Sequence, residues 1–200
     1  MKTWGEVKTA IEGKLYITSS DEAPEEYVNQ YETLANEALS IIANGVKPNV
    51  LYYEIDVYDE KETLGDNEFL VNSVVKMPDN FLSFIGIKIL KDGVPCKTCA
   101  YYATDGLLVR EAGHYVIPYY AMYPEILTAN NQPDGYNNQD LGIPRQVLDC
   151  VPAYVASKCL QEDDLQRSTV LSNDFELQLA RLDDGEMYEV EHFESEGGWY

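Results

Sequence analysis

The side chains best suited to chemistry are two histidines, His114 and His192, and four cysteines, Cys96, Cys99, Cys150 and Cys159. Cys96 and Cys99 form a single C-x-x-C, which as half of a tetrahedral zinc site needs a second pair of ligands. Cys150 and Cys159 lie nine residues apart in a helical pattern, so they turn to opposite faces and do not form that pair. The histidines fall on a hairpin and in the C-terminal tail. The pattern therefore predicts no metal site, with the thiols serving as small buried or half-exposed groups. A Ser-His or Cys-His nucleophile is equally unsupported, and no phosphate-loop, dinucleotide, zincin or G-x-S-x-G motif occurs. Glu54 with Asp56, and Asp163 with Asp164, have the spacing of catalytic carboxylates. Among 35 acidic residues such pairs arise from composition alone, and they read as solvated faces. Residues 130–135 look like the start of a calcium loop, but Leu141 stands where the closing glutamate belongs. No enzyme and no cofactor is expected.

Aromatic residues are more informative. Tyr52-Tyr53, Tyr101-Tyr102 and Tyr119-Tyr120 could serve as stacking platforms for single strands, but that use also needs a basic groove. Sheet packing and subunit contact account for them better. Sixteen Tyr against five Phe suit half-buried sheets and interfaces more than a large oily core. Tyr188, Phe193, Trp199 and Tyr200 punctuate an acidic C-terminal segment, and they are the candidate partner-binding residues, anchors of an extended arm.

Charge sets the class of partner. Thirty-five acidic against fourteen basic residues in a 200-residue chain leave a net charge of −21. Binding nucleic acid by phosphate neutralisation is excluded as the main function, as is docking on an anionic membrane. Residues 1–6 lack the apolar stretch of a secretory signal, and no apolar run approaches membrane-spanning length. The expectation is a soluble protein, intracellular or released in an assembly.

The elements that must position these residues follow from periodicity. Thr3 with Glu6 fits a capping box that opens a helix ending near Gly13. Pro24 precedes one long amphipathic helix whose face is Tyr27, Tyr31, Leu34, Ala38, Ile41 and Ile42, stopping at Asn44-Gly45. Residues 51–58 alternate, with Leu51, Tyr53, Ile55 and Val57 on one side. Residues 59–68 read as an acidic loop, and 69–75 and 84–90 as strands. Lys91-Asp92-Gly93 reads as a turn, and residues 101–109 as a second hairpin. Pro118 within 115–123 suggests an edge position or a bulge. Residues 127–142 form a long polar loop. Leu148, Val151, Val155 and Cys159 trace one helical face that Pro152 should start or kink, and Leu171, Phe175, Leu179 and Leu182 mark a final helix over 163–182. The fold class is α+β: terminal helices (1–46 and 143–182) form a helical body. A mostly antiparallel β lobe (49–126), a small sandwich or sheet, is inserted between them, and residues 183–200 make an extended acidic arm.

Several stretches, in order, resemble one family. Residues 3–8 (TWGEVK) and the helix end 38–43 (ALSIIA) are similar to the opening of head-tail connector proteins of tailed bacteriophages, the adaptor or head-completion family. The resemblance continues through residues 77–82 (MPDNFL), 113–116 (GHYV) running into Tyr119-Tyr120 and Tyr123-Pro124, and 151–156 (VPAYVA). It covers most of residues 1–182; Pro118 and the acidic tail depart from the pattern. It implies a non-enzymatic virion protein at the head-tail interface, made in the host cytoplasm. Such a protein forms a homo-oligomeric ring, commonly a dodecamer, between the portal protein and a tail or stopper protein. Its contact with channel DNA would be passive. The alternative is a small acidic DNA-mimic protein that inhibits a host nucleic-acid enzyme.

Overall fold

The computed structural model describes residues 2–15, 24–64, 67–71, 73–85, 89–96, 100–102 and 106–183, and at 62–64, 67–69, 100–102 and 183 the backbone alone. It is a mixed helical and antiparallel α+β chain. Two compact units divide it: Met1–Ala38 with Glu125–Tyr200, and Leu39–Pro124. Beyond Asp183 the acidic arm lies outside the described residues.

The first unit is built from helices α1 (Trp4–Lys14), α2 (Glu25–Val28), the start of α3 (Tyr31–Gly45), α4 (Arg145–Cys159) and α5 (Leu165–Asp183). At α1 the capping box forms as its spacing predicts. Thr3 Oγ1 accepts from the Glu6 N–H at 3.3 Å, and Glu6 Oε2 accepts from the Thr3 N–H at 2.9 Å, satisfying two donors that a helix start otherwise leaves open. Trp4, Val7 and Ile11, spaced by three and four, are fully buried. At α4 the expectation of one apolar face is corrected. From Val147 to Cys159 every residue is buried except Asp149 and Lys158, the signature of a central helix, and α4 packs on both α1 and α5. Pro152 lies inside α4, which begins at Arg145, so the proline does not start the helix. Small residues set the approach of α5: Ser168 Oγ donates to the Ser157 carbonyl at 2.8 Å, and the Tyr154 and Phe175 rings sit 5.0 Å apart.

The single helix expected after Pro24 is instead two, broken at Asn29-Gln30. Val28 and Asn29 are weak helix formers, and the Gln30 side chain donates back to the Glu26 carbonyl at 3.0 Å, competing with continuation. The buried face is also displaced from expectation. Ala35, Leu39 and Ala43 join Tyr31, Ala38 and Ile42, while Ile41 is exposed. The polar connection after Glu125 contains two 3-10 turns, Ala129–Asn131 and Tyr136–Asn138. An amide side chain of α3 stands in for a ladder partner there, since Asn36 donates to the Ile126 carbonyl and accepts from its N–H at 2.9 and 2.8 Å.

The second unit contains the strands β1 (Asn49–Val57), β2 (Lys61–Leu64), β3 (Asn67–Leu70), β4 (Val74–Lys76), β5 (Phe81–Phe84), β6 (Leu90–Lys91), β7 (Val94–Pro95), β8 (Ala100–Tyr102), β9 (Gly106–Val109) and β10 (Gly113–Ala121). β10 is the central strand, pairing antiparallel with β1 along one flank and with β5 and β6 along the other. β4, β9 and β8 form a separate three-stranded sheet, and β2–β3 a hairpin. Val57, Val75, Leu107, Val109, Tyr115 and Ile117 form the heart of the core.

Three expectations are corrected here. The acidic stretch 59–68 contains the β2–β3 hairpin, in Leu64↔Asn67 register. The runs at 69–75 and 84–90 are not continuous strands: β3 ends at Leu70 before β4 begins at Val74, and β5 ends at Phe84 before β6 begins at Leu90. Pro118 is not on an edge strand, and the irregularity that β10 does carry lies two residues further on, where its register with β5 shifts between Tyr120 and Ala121. The Pro118 carbonyl accepts from Ile85 N–H and the His114 carbonyl from Asp92 N–H, so even-numbered residues of β10 face β5 and β6, and odd-numbered ones face β1. The missing N–H of Pro118 falls where β5 has ended and β6 not begun, which is how a central strand tolerates it. The Asp92-Gly93 turn forms as predicted, with positive φ at both residues (51° and 79°).

Candidate functional site

Several of the carboxylates and cysteines singled out in the sequence have structural surroundings. Asp163 accepts from the Tyr27 hydroxyl, which holds that phenol up to about 12. Asp164 Oδ1 accepts from the Arg167 N–H at 3.0 Å and so caps α5. Cys150 and Cys159 are free and buried, and burial pushes the Cys159 thiol up to about 11, away from the thiolate a nucleophile needs. Cys96 is disulfide-bonded, which corrects the expectation of a thiol there. Among the described residues no group of three or more His, Cys, Asp and Glu is arranged to hold a metal ion, and no helix is long and apolar enough to cross a membrane. A polar cleft of 580 Å³ lies against Tyr27, Gln30, Lys158, Cys159 and Asp163. The four predicted partner-binding residues, Tyr188, Phe193, Trp199 and Tyr200, lie outside the described residues.

In the first unit a polar cluster is centred on Glu32, which is 5% exposed. Its Oε1 accepts from Trp4 Nε1 at 3.3 Å and Gln132 Nε2 at 3.2 Å, and Lys8 Nζ stands 3.2 Å away. Lys8 Nζ also lies 5.4 Å from the centre of the Trp4 ring. One buried carboxylate thus joins α1, α3 and the polar connection. Sequence reasoning missed it, because the partners lie 28 and 100 residues from Glu32. The available signal was a glutamate between Tyr31 and Ala35 on an apolar helix.

In the second unit the candidate surface is the outer side of β1. Alternation places Leu51, Tyr53, Ile55 and Val57 inward, as the sequence predicts, and exposes Val50, Tyr52, Glu54 and Asp56, with Tyr58 next along the chain. Tyr52 is 65% exposed and Val50 47%. Adjacent tyrosines are divided between faces: Tyr52 is exposed where Tyr53 is half-buried, and Tyr119 is buried where Tyr120 is half-buried. His114, opposite Asp56 on β10, brings Nδ1 to 2.9 Å from Asp56 Oδ1. That hydrogen bond, with Glu54 and Asp92 nearby, raises the imidazole pKa. This rim offers hydrogen-bonding groups, aromatic area and negative charge side by side.

No protein-family model matches this chain, and no curated protein matches it.

Proposed function

We propose that this protein is a structural component of the neck of a tailed bacteriophage, an adaptor that forms a ring between the portal protein and a tail or stopper protein and surrounds the DNA channel. The observation that carries the reading is the place of the resembling segments: they build the scaffold. The TWGEVK segment supplies the capping box and the buried Trp4, MPDNFL supplies buried Met77, GHYV enters the central strand, and VPAYVA is the buried middle of α4. A net charge of −21 suits a channel wall along which DNA slides without sticking.

The test is to mix the purified chain with a tailed-bacteriophage portal protein and image the product by negative stain. A ring added to one end of the portal is expected. If the portal stays bare and the chain instead captures one DNA-binding host enzyme from lysate, the adaptor reading fails and the DNA-mimic alternative takes its place. Truncation after Leu182 is expected to reduce assembly of infectious particles; unimpaired assembly would remove Tyr188, Phe193, Trp199 and Tyr200 as partner anchors.

A further inference from the structure

The β1 strand pairs on one side only among the described residues. Because the odd-numbered residues of β10 face β1, the odd-numbered residues of β1 opposite them complete that ladder. The N–H and C=O groups of Val50, Tyr52 and Glu54 therefore point to the far edge, where no described residue bonds to them. Tyr58 confirms the parity, since its N–H donates to the Val71 carbonyl on that same side. Proteins blunt such edges with lysine, proline, bulges or short strands. β1 has no lysine, proline or bulge and runs nine residues, NVLYYEIDV, in unbroken register, its only charges being the acidic Glu54 and Asp56.

We propose that this edge receives an extended, basic segment of a partner protein as an added strand. Strand addition takes its affinity from the main chain and its selectivity from alternate side chains. Here those are Val50 and Tyr52, exposed and apolar, followed by Glu54 and Asp56, exposed and acidic. A lysine- or arginine-bearing strand would place charged heads on the carboxylates and alkyl stems along the Tyr52 ring. A second copy is the poorer occupant, because pairing β1 with itself brings four carboxylates onto one joined face in molecules that each carry −21. The inference goes beyond the adaptor reading, since portal binding can fail while this edge remains active, and the reverse.

The test uses the full chain and a fluorescent peptide of alternating Lys and Val, read by anisotropy. Two control peptides are the same sequence N-methylated at alternate amides and its Glu-Val counterpart. Binding is expected for the Lys-Val peptide, with affinity about tenfold weaker after N-methylation and none detected for the acidic peptide. Tyr52→Pro removes an edge N–H without touching the β10 ladder, so it is expected to weaken binding while leaving the melting temperature near that of the parent. Glu54→Lys, which leaves the backbone intact, is expected to weaken it through charge and decides the matter should the proline variant unfold. Equal affinity for the N-methylated peptide, or unchanged binding by a folded Tyr52→Pro chain, would overturn strand addition. Self-association that Tyr52→Pro abolishes would assign the edge to a second copy and overturn the basic partner.

Discussion

Glu32 shows how one buried charge is made tolerable: a cation, an indole N–H and an amide N–H converge on one carboxylate oxygen. Glu32→Ala leaves those donors without their acceptor, and a loss of about 3 kcal/mol in denaturant unfolding is expected, by analogy with broken buried pairs. Glu32→Gln keeps an oxygen acceptor and should lose less, which separates the role of charge from that of hydrogen bonding. His114 is a second residue whose surroundings dictate behaviour. Its partner Asp56 raises the folded pKa above 6.5, so the pairing contributes stability that is fully present below the unfolded value. That contribution is lost as pH rises through the higher folded one. An NMR titration of the imidazole is expected to give a midpoint above 6.5, and Asp56→Asn should return it toward that value; a midpoint unmoved by the substitution would show the contact to be idle. Gly106 is constrained by space: a Cβ there would lie 2.3 Å from the Val75 carbonyl oxygen. Gly106→Ala should push β9 off β4 at a cost of about 1–3 kcal/mol, visible in thermal unfolding.

At the scale of elements, β10 carries an asymmetry that amide exchange can read. Its odd-numbered amides belong to the long β1 ladder, whereas Val116 and Tyr120 meet the short strands β6 and β5. Ile117 and Tyr119 are expected to exchange more slowly than Val116 and Tyr120, because a short strand detaches locally without opening β1. Equal protection along the strand would mean that both flanks open together. The same elements show what the sequence made legible. The Thr3 capping box, the β1 alternation and the Asp92-Gly93 turn are local signals, set by contacts within a few residues, and all three formed. Of the candidate site, the outward row Val50, Tyr52, Glu54, Asp56 follows from that alternation. Its edge, unpaired among the described residues, does not, because an edge is defined by the absence of a neighbour across the sheet. The β2–β3 hairpin was hidden by its charges, since a run of acidic residues looks like loop. Pro118 misled for the opposite reason: the rule against prolines in central strands assumes an unbroken partner on both sides, and here the partner is interrupted. The burial of α4 on nearly every side from Val147 to Cys159, with Pro152 inside, depended on helices arriving from both ends of the chain.

For the molecule as a whole, one consequence concerns the order of events during synthesis. The first unit is discontinuous: Lys2 pairs with Asp149, Lys14 with Asp174, and Arg167 with the Lys14 carbonyl, so its opening helix, which reaches Glu32 of α3 earlier, meets its main packing partner α4 only after the second unit has been made. The second unit, Leu39–Pro124, is contiguous and its strands are complete once Ala121 is. As the ribosome delivers the chain from its N-terminus, the inserted sheet can close while α1 still waits with Trp4, Val7 and Ile11 exposed. Ribosome-bound chains stalled with Pro124 clear of the exit tunnel are expected to protect the sheet from protease but leave α1 cleavable. Protection of α1 should arrive with α5, and earlier protection would show that α1 finds another partner in the interval. Those three apolar side chains make the nascent chain, more than the finished protein, the form most exposed to chaperones.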